Sequence, residues 1–285
     1  MKIGAVYPQT ELRGDPRAVA RIGVAVETLG LDYLLAYDHV LGATHDREPK
    51  LTGPYTDQDP FHDPFVMFAY LAGITQRIEL VCGVLILPQR QTVLVARQSA
   101  DLDLLSGGRF RLGVGLGWNY VEYDALGQDF KTRGRRASEQ IGLLRRLWTE
   151  PLVTFQGEFD HVDRVSLNPR PAHRIPIWFG GFSEPAFRRA AQLGDGFILT
   201  GPADKAVEAW GRIEHHLKDA GRAAADFGKE MVVGRQYKTP QQVAERIQWC
   251  REWGCTHVAV DTMGKGLTTA EAHIDFLSEV RKSIS

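Results

Sequence analysis

The stretch RIELVCGVLILPQRQTVLVARQSADLDLLSGGRFRLGVGLGW, residues 77–118, decides the fold of this chain. An apolar run at Ile78–Leu87 is followed by a helical pattern at Val93–Leu105 and a second apolar run at Phe110–Gly115. Both runs are apolar at successive positions, which is typical of strands in a parallel sheet that is covered on both faces. The stretch therefore predicts a strand–helix–strand unit with parallel strands.

The same unit recurs along the whole chain. Eight apolar runs rich in β-branched residues predict strands at Ile3–Tyr7, Tyr33–Tyr37, Ile78–Leu87, Phe110–Gly115, Ile177–Gly180, Gly196–Thr200, Met231–Gln236 and His257–Thr262. The seventh run is the weakest and could be a loop with only a short strand. Helical patterns lie at Pro16–Leu29, Asp63–Thr75, Val93–Leu105, Gly134–Trp148, Glu184–Leu193, Lys205–Ala220, Pro240–Trp253 and Thr269–Lys282. This alternation predicts the α/β class and a (β/α)8 TIM barrel, with residues 1–285 as a single domain.

Two segments are longer than ordinary connections. Residues 41–64 form a long loop after strand two that is rich in Gly, Pro, Asp and aromatic residues. Such loops are usually functional lids or locally disordered, and the position of this one beside His39 predicts a lid that covers the binding site. Residues 150–176 predict a small hairpin inserted before strand five. This hairpin could instead serve as a contact surface for a second copy, and we expect a homodimer.

Composition narrows the class of protein. The chain has 285 residues, is 44% hydrophobic and carries a net charge of -1, without the basic run that would indicate nucleic acid as a partner. Neither an export signal nor a run of about 18 apolar residues is present, so we expect no membrane partner and a cytoplasmic location. Cys82, Cys250 and Cys255 lack metal-binding spacing and are expected to be reduced thiols, without a metal site.

Glycines cluster where strands four and five end. Gly115 and Gly117 follow strand four, and Gly180 and Gly181 follow strand five. The carboxyl ends of barrel strands form the active site, and a glycine there lets a flat or phosphorylated ligand approach the backbone. Each motif alone could also be a tight turn. The run GVGLG lacks the G-x-G-x-x-G spacing of a dinucleotide fingerprint. Together the glycines favour a planar, phosphorylated cofactor.

Several segments resemble the luciferase-like monooxygenase superfamily. The similarity spans YDHV after strand two, LDLLSGGRFRLGVGLGW, FKTRGRR, PIWFGGFS and the tail TPQQVAERIQWCREWGCTHVAV. Within that superfamily the chain most resembles the probable F420-dependent oxidoreductases. The resemblance implies a (β/α)8 barrel with an insertion after strand four, and hydride transfer at a coenzyme ring in the barrel mouth.

The resemblance assigns roles near the coenzyme ring. Asp38 and His39 match the Asp-His pair that reaches the ring from strand two, so His39 is the first candidate for catalysis. Its imidazole suits a proton donor or hydrogen-bond partner near neutral pH. A purely structural histidine at the strand end is the alternative. Gly83 and Val84 match a bulge on strand three where relatives often have a non-prolyl cis peptide bond behind the ring.

The resemblance also assigns the phosphate end and the substrate pocket. Gly180, Gly181 and Ser183 match the region near the phosphate, just before a helix begins. Sugar-phosphate dehydrogenases of the superfamily carry a glutamate after the strand-four glycines, whereas this chain has Trp118. We therefore expect a substrate other than a sugar phosphate, and we expect Trp118 to line the substrate pocket. Alternatively, Trp118 is a buried residue of the hydrophobic core.

Three functions remain open from the sequence. The first is an oxidoreductase that transfers a hydride between coenzyme F420 and a small organic substrate. The second is an FMN-dependent monooxygenase that uses O2 and receives reduced flavin from a separate flavin reductase. The third is a catalytically inert cofactor-binding barrel, because a fold alone does not establish chemistry. Exposed cations at Arg188, Arg189 and Lys205 could contact the polyglutamate tail of F420, or could simply be solvated.

Overall fold

The computed structural model describes residues 1–284 as alternating strands and helices. Its strands are β1 Lys2–Val6, β2 Tyr33–Ala36, β3 Glu79–Ile86, β4 Phe110–Gly115, β5 Val153–Gln156, β6 His161–Val165, β7 Ile177–Gly180, β8 Gly196–Leu199, β9 Gly228–Val233 and β10 His257–Val260. Eight of them close into a parallel barrel in the order β1-β10-β9-β8-β7-β4-β3-β2. The predicted (β/α)8 TIM barrel is confirmed.

Helices surround the barrel and cover its outer face. They are α1 Pro16–Thr28, α2 Pro64–Ile74, α3 Thr92–Ser106, α4 Tyr120–Ala125, α5 Arg133–Thr149, α6 Glu184–Leu193, α7 Ala203–Asp219, α8 Pro240–Glu252 and α9 Ala270–Ser283. Short 3-10 turns lie at Leu87–Gln89 and Ala224–Asp226. The short helix α4 was not expected from the sequence, because its six residues are too few to display a helical period.

Proline and a polar cap start several helices where the sequence predicts them. Asp63 accepts a hydrogen bond from the backbone N–H of Val66, and Pro64 occupies the first turn of α2. Thr239 and Gln242 form a reciprocal capping box at the start of α8. A cap of this kind typically stabilises a helix by about 1 kcal/mol. These signals explain why the predicted starts of α2 and α8 agree closely with the structure.

The insertion between β4 and β7 contains α4, α5 and the antiparallel hairpin β5–β6. The predicted hairpin before the fifth barrel strand is therefore confirmed. Glu139 of α5 stabilises the hairpin turn, because its carboxylate accepts hydrogen bonds from the backbone N–H groups of residues 158, 159 and 160 at 2.7–2.9 Å.

The predicted boundaries of the seventh barrel strand are wrong by three residues. This strand, β9, runs over 228–233 rather than 231–236. Gly228 pairs with Gly196 of β8, and a Cβ on either glycine would lie within 2.5 Å of the Trp178 ring. The strand therefore begins at glycines that admit a large ring, a packing requirement that apolar periodicity does not reveal. Residues 234–236 are consequently a loop at the barrel mouth.

Buried charges fill the opposite, amino-terminal end of the barrel. Arg111 donates to Glu230 at 2.5 Å, and both side chains are at most 2% exposed. The hydroxyl of Tyr33 donates to the same carboxylate at 2.8 Å, and the guanidinium of Arg111 stacks 4.2 Å from the Trp178 ring centroid. Because a paired, hydrogen-bonded cluster occupies this end, open space inside the barrel lies at the carboxyl ends of the strands.

Helix α2 presents apolar side chains on both faces. Phe65, Phe68 and Leu71 are buried, whereas Val66 and Tyr70 are more than half exposed. An apolar outer face is typical of a surface that contacts another chain, and the homodimer stays a prediction.

In residues 1–284 no helix is both long and apolar enough to cross a membrane. Cys82, Cys250 and Cys255 are buried and unbridged.

Candidate active site

A cavity of about 630 Å³ opens at the carboxyl ends of the barrel strands. Small-molecule sites usually enclose about 300–1,000 Å³, and in TIM barrels they lie at this end. The wall consists of Tyr37, His39, Pro54, Tyr55, Gly83, Val84, Ile86, Gly115, Leu116, Gly117, Trp118, Arg133, Gly180, Gly181, Phe182, Ser183, Ala186, Ile198, Thr200, Gly201, Val232, Gly234, Arg235, Gln236 and Asp261. The sequence-predicted site residues, apart from Asp38, therefore meet around one cavity.

Val84 forms the floor on the β3 side. The Gly83–Val84 peptide bond is cis and lies where the pairing of β3 with β4 shifts register. A Cβ on Gly115 would lie 2.4 Å from the Val84 side chain, and one on Gly180 would lie 2.9 Å from it. Their missing side chains make room for Val84, and because both glycines also line the cavity, their contact with a cofactor stays a prediction. Val84 in turn offers the ligand an apolar surface.

His39 is held by a carboxylate from the insertion. Its Nδ1 lies 3.2 Å from both carboxylate oxygens of Glu122. A carboxylate only accepts hydrogen bonds, so Nδ1 carries the proton that it donates. The rings of Tyr55, Phe61 and Trp118 pack edge-on against the imidazole at 4.8–5.6 Å. Among residues 1–284 no other hydrogen bond to the imidazole occurs, which leaves Nε2 for a ligand.

Glu122 is a residue that sequence reasoning missed. Its side chain is 1% exposed and also accepts hydrogen bonds from the backbone N–H groups of Val40 and Leu41, at 2.8 and 3.0 Å, and from the Gln89 amide at 3.2 Å. Burial raises the pKa of this carboxyl, but the bonds from His39, Leu41 and Gln89 outweigh burial and hold the pKa below its usual range. Glu122 therefore remains charged and orients His39.

Asp38 occupies a different place from the one that the resemblance implies. Its carboxylate accepts the backbone N–H of Ile86 at 2.9 Å and pairs with Arg90 at 2.8 Å, entirely shielded from solvent. Arg90 also pairs with Asp63 at the start of α2. Asp38 thus ties the ends of β2 and β3 together behind the cavity wall. Asp38 therefore lies outside the cavity wall, and its predicted contact with the cofactor gains no support from this position.

The long loop after β2 folds back over the cavity at Trp118. Gly53 of the loop packs on the indole so closely that a Cβ would lie 2.2 Å from it. Gly117, whose φ is 66°, turns the chain into the left-handed region just before Trp118. Trp118 is half-buried, with one side against the loop and His39 and the other on the cavity. Closure of this loop over a substrate stays a prediction.

The opposite end of the cavity suits a phosphate. Gly181 has a φ of 148°, and Ser183 precedes α6 without capping the helix with its hydroxyl. In the first turn of α6 only Glu184 has an N–H that is free among the described residues, since Pro185 has none and Ala186 donates to the Ser183 carbonyl at 2.9 Å. This N–H and the helix dipole favour an anion there. Arg133 also lines the cavity, and its buried Nε has no hydrogen-bond partner among residues 1–284. A helix start, a free hydroxyl and an unused guanidinium nitrogen together fit a phosphorylated ligand.

The cations considered for a polyglutamate tail lie outside this wall. Arg189 donates to the Ser138 hydroxyl at 2.9 Å, and Lys205 pairs with Glu208 at 3.1 Å. Arg188 is exposed on α6. These positions are compatible with solvated helix faces, and contact of any of them with a tail stays a prediction.

A polar wall faces the glycine-rich one, and the sequence did not reveal it. Tyr37 follows β2, Arg235 lies in the loop after β9, and Asp261 follows β10. The Tyr37 hydroxyl donates to Asp261 Oδ2 at 3.5 Å. The predicted seventh and eighth strands extended through Arg235 and Asp261, which assigned both residues to the barrel wall instead of the cavity.

In residues 1–284 no cluster of His, Cys, Asp and Glu is arranged to hold a metal ion.

Comparison with known proteins identifies the family of this chain. The family model described as luciferase-like monooxygenase matches residues 2–233. An uncharacterized protein of Mycobacterium tuberculosis is 31% identical over 209 residues, 73% of each chain. An F420-dependent glucose-6-phosphate dehydrogenase of Gordonia bronchialis is 31% identical over 194 residues, 65% of this chain and 53% of that protein. The FMNH2-dependent dimethylsulfone monooxygenase of Pseudomonas fluorescens is 32% identical over 153 residues, 52% of this chain and 42% of that enzyme.

A solved structure reproduces the fold. An F420-dependent secondary alcohol dehydrogenase, in complex with an F420-acetone adduct, superposes with a TM-score of 0.80 over 100% of this chain and 99% of that one, at 16% identity. At this identity the superposition supports the barrel architecture only, and no residue role is transferred from that enzyme to this chain. Relatives thus include both F420-dependent and FMN-dependent enzymes.

Proposed function

The chain belongs to the luciferase-like monooxygenase family, whose members are oxidoreductases and monooxygenases, and we propose that this one transfers a hydride between coenzyme F420 and a small organic substrate. The observation that carries the proposal is the His39–Glu122 pair on the wall of a cavity that has an apolar floor and an anion-binding end. A ring needs a flat apolar surface, and a phosphate needs free N–H donors. Both are present in the same cavity.

Different residues of this chain hold the coenzyme and act on the substrate. The coenzyme, when bound, supplies or accepts a hydride at its ring. Val84 supports the ring, while Ser183, Arg133 and the start of α6 bind the phosphate. His39 presents Nε2 to the substrate and holds or releases a proton there, because Glu122 occupies Nδ1. Trp118 and the loop above it exclude water from the reacting groups.

The main alternative is an FMN-dependent monooxygenase that receives reduced flavin from a separate reductase. The similarity to the FMNH2-dependent dimethylsulfone monooxygenase supports it. FMN and F420 share a tricyclic ring, a ribityl chain and a phosphate, so the apolar floor and the anion-binding end serve both. The two cofactors differ beyond the phosphate and in the reactivity of the reduced ring with O2.

Direct titration of the purified protein with each cofactor tests the proposal. We expect F420 to bind at least tenfold more tightly than FMN, measured by quenching of cofactor fluorescence. Tighter binding of FMN would favour the monooxygenase. Binding of neither cofactor at concentrations up to about 1 mM would contradict both functions.

Substitution of Gly181 by valine is expected to weaken cofactor binding at least tenfold, about 1.4 kcal/mol. The reason is that a branched side chain would crowd the backbone N–H groups before α6, where the phosphate is expected. Gly221→Val is the matched control, since Gly221 has a positive φ of 68° in a turn where an added Cβ would meet no atom within 4 Å. Both variants carry backbone strain, so only a loss confined to Gly181→Val supports the site. Unchanged affinity in a folded Gly181→Val protein would remove it.

A further inference from the structure

Among residues 1–284 two buried carboxylates, Asp103 and Asp261, have an oxygen without a close hydrogen-bond donor, and of these only Asp261 lines the cavity. Glu122 accepts four hydrogen bonds, Asp38 pairs with Arg90, and Glu230 pairs with Arg111. Asp261 is 5% exposed and uses Oδ1 for one good bond, from the backbone N–H of Met263 at 2.8 Å. Among residues 1–284 its Oδ2 receives only the Tyr37 hydroxyl at 3.5 Å, the outer limit of a hydrogen bond.

The unused oxygen lies on the cavity wall. Asp261 lines the cavity, and within residues 1–284 it has no salt-bridge partner. A buried carboxylate oxygen without a close donor is costly, since burial removes its hydration. A donor from a bound molecule would satisfy it. The hydroxyl of Tyr37 already approaches from one side, which leaves the cavity side for that donor.

Surrounding charges restrict what this donor can be. Arg235 lines the same wall at the exposed rim, and Lys265 lies behind it, donating to the carbonyls of Gly234 and Tyr237. These two cations repel an ammonium group and together offset the charges of Asp261 and nearby Glu11. The charge of Asp261 itself disfavours a carboxylate or a phosphate. An uncharged hydroxyl group satisfies Oδ2 without either repulsion.

We propose that Asp261 is a substrate-binding residue whose Oδ2 accepts a hydrogen bond from the hydroxyl group of an uncharged alcohol. The polar wall of Tyr37 and Asp261 orients this alcohol, while the floor at Val84 remains for the ring of the coenzyme. As a statement about substrate class the proposal rests on the proposed function. Its binding test does not need the coenzyme.

Three probes that share one ring and differ in charge separate the possibilities. Cyclohexanol, cyclohexylammonium and cyclohexanecarboxylate are titrated against the protein at pH 7, with binding followed by saturation-transfer NMR. We expect cyclohexanol to bind most tightly. Asp261→Asn should weaken the binding of cyclohexanol at least threefold, because a neutral acceptor gives a weaker hydrogen bond than a charged one. The same substitution should strengthen the binding of cyclohexanecarboxylate, because it removes the repulsion between two carboxylates. The control Asp275→Asn changes an exposed carboxylate of α9 and should alter neither affinity.

The outcomes are distinct. Tightest binding of the ammonium or the carboxylate probe to the wild-type protein would overturn the proposal, as would unchanged affinities in Asp261→Asn. Absence of binding of all three probes at millimolar concentration would overturn it as well. The expected pattern in a protein that binds neither F420 nor FMN would leave the subsite standing while the proposed function fails.

Discussion

Replacing His39 with asparagine is expected to lower kcat by about 10²–10⁴ while changing cofactor affinity by less than about tenfold. Asparagine keeps a hydrogen-bonding group of similar size but cannot exchange a proton near neutral pH. The structure supports this separation of effects, because His39 lies beside Trp118 and bonds to Glu122 rather than to the phosphate end of the cavity.

The measurement needs no known substrate. Exchange of a deuterium label at C5 between reduced F420 and an oxidised deazaflavin, supplied as the hydride acceptor, reports on hydride transfer, and fluorescence titration reports on affinity. His161→Asn is the control, because His161 is exposed on the hairpin strand β6. Wild-type exchange in a well-folded His39→Asn protein would exclude this residue from the mechanism. Lost stability with an unchanged rate per folded molecule would identify a structural histidine.

Glu122→Gln is expected to lower the same exchange rate by about 10²-fold through His39. The carboxylate accepts bonds from His39, Gln89 and two backbone N–H groups, so the amide nitrogen of glutamine would face one of these donors. Rearrangement places that nitrogen toward His39, where it would donate to Nδ1 and move the imidazole proton to Nε2. A carboxylate that selects the imidazole tautomer can contribute up to about 10⁴ in rate in other enzymes.

Nitrogen-15 NMR of the imidazole distinguishes this positioning role from a structural one. We expect the wild-type His39 to carry its proton on Nδ1 and the variant to carry it on Nε2. Glu139→Gln is the matched control, since Glu139 also accepts three backbone N–H bonds but lies on the hairpin side of α5. An unchanged tautomer in Glu122→Gln, or an equal rate loss in Glu139→Gln, would contradict the positioning role.

The stability of Glu122→Gln relative to wild type should depend on pH. The pKa of Glu122 is lower in the folded protein than its ordinary value of 4.5, so the charged carboxylate stabilises the fold above that value. This contribution is lost as the pH falls through the folded pKa. The difference in free energy of unfolding between the two proteins should therefore be full at pH 7 and decrease below about pH 4.5, as measured by urea denaturation at each pH.

Local patterns in the sequence were sufficient for the barrel and for much of the site. Parallel strands buried on both faces leave continuous apolar runs, and helices leave caps such as Asp63-Pro64, so both can be read within short windows. Position along the chain then placed the residues after β2, β4 and β7 at one end of the barrel, because all parallel strands point the same way. Gly117 and Gly181 were found in this manner, whereas the resemblance to the luciferase-like family singled out His39 and Trp118.

Only the tertiary structure decided which groups work together. Glu122 reaches His39 across 83 positions of sequence, and Tyr37 approaches Asp261 across 224. Hydrogen bonds of this kind depend on register, helix placement and the direction of single side chains, none of which has a period along the chain. The same holds for Gly115 and Gly180, whose missing side chains accommodate Val84 from a neighbouring strand. The residue types predicted that these positions belong to the site, and packing between distant segments determined the role of each one.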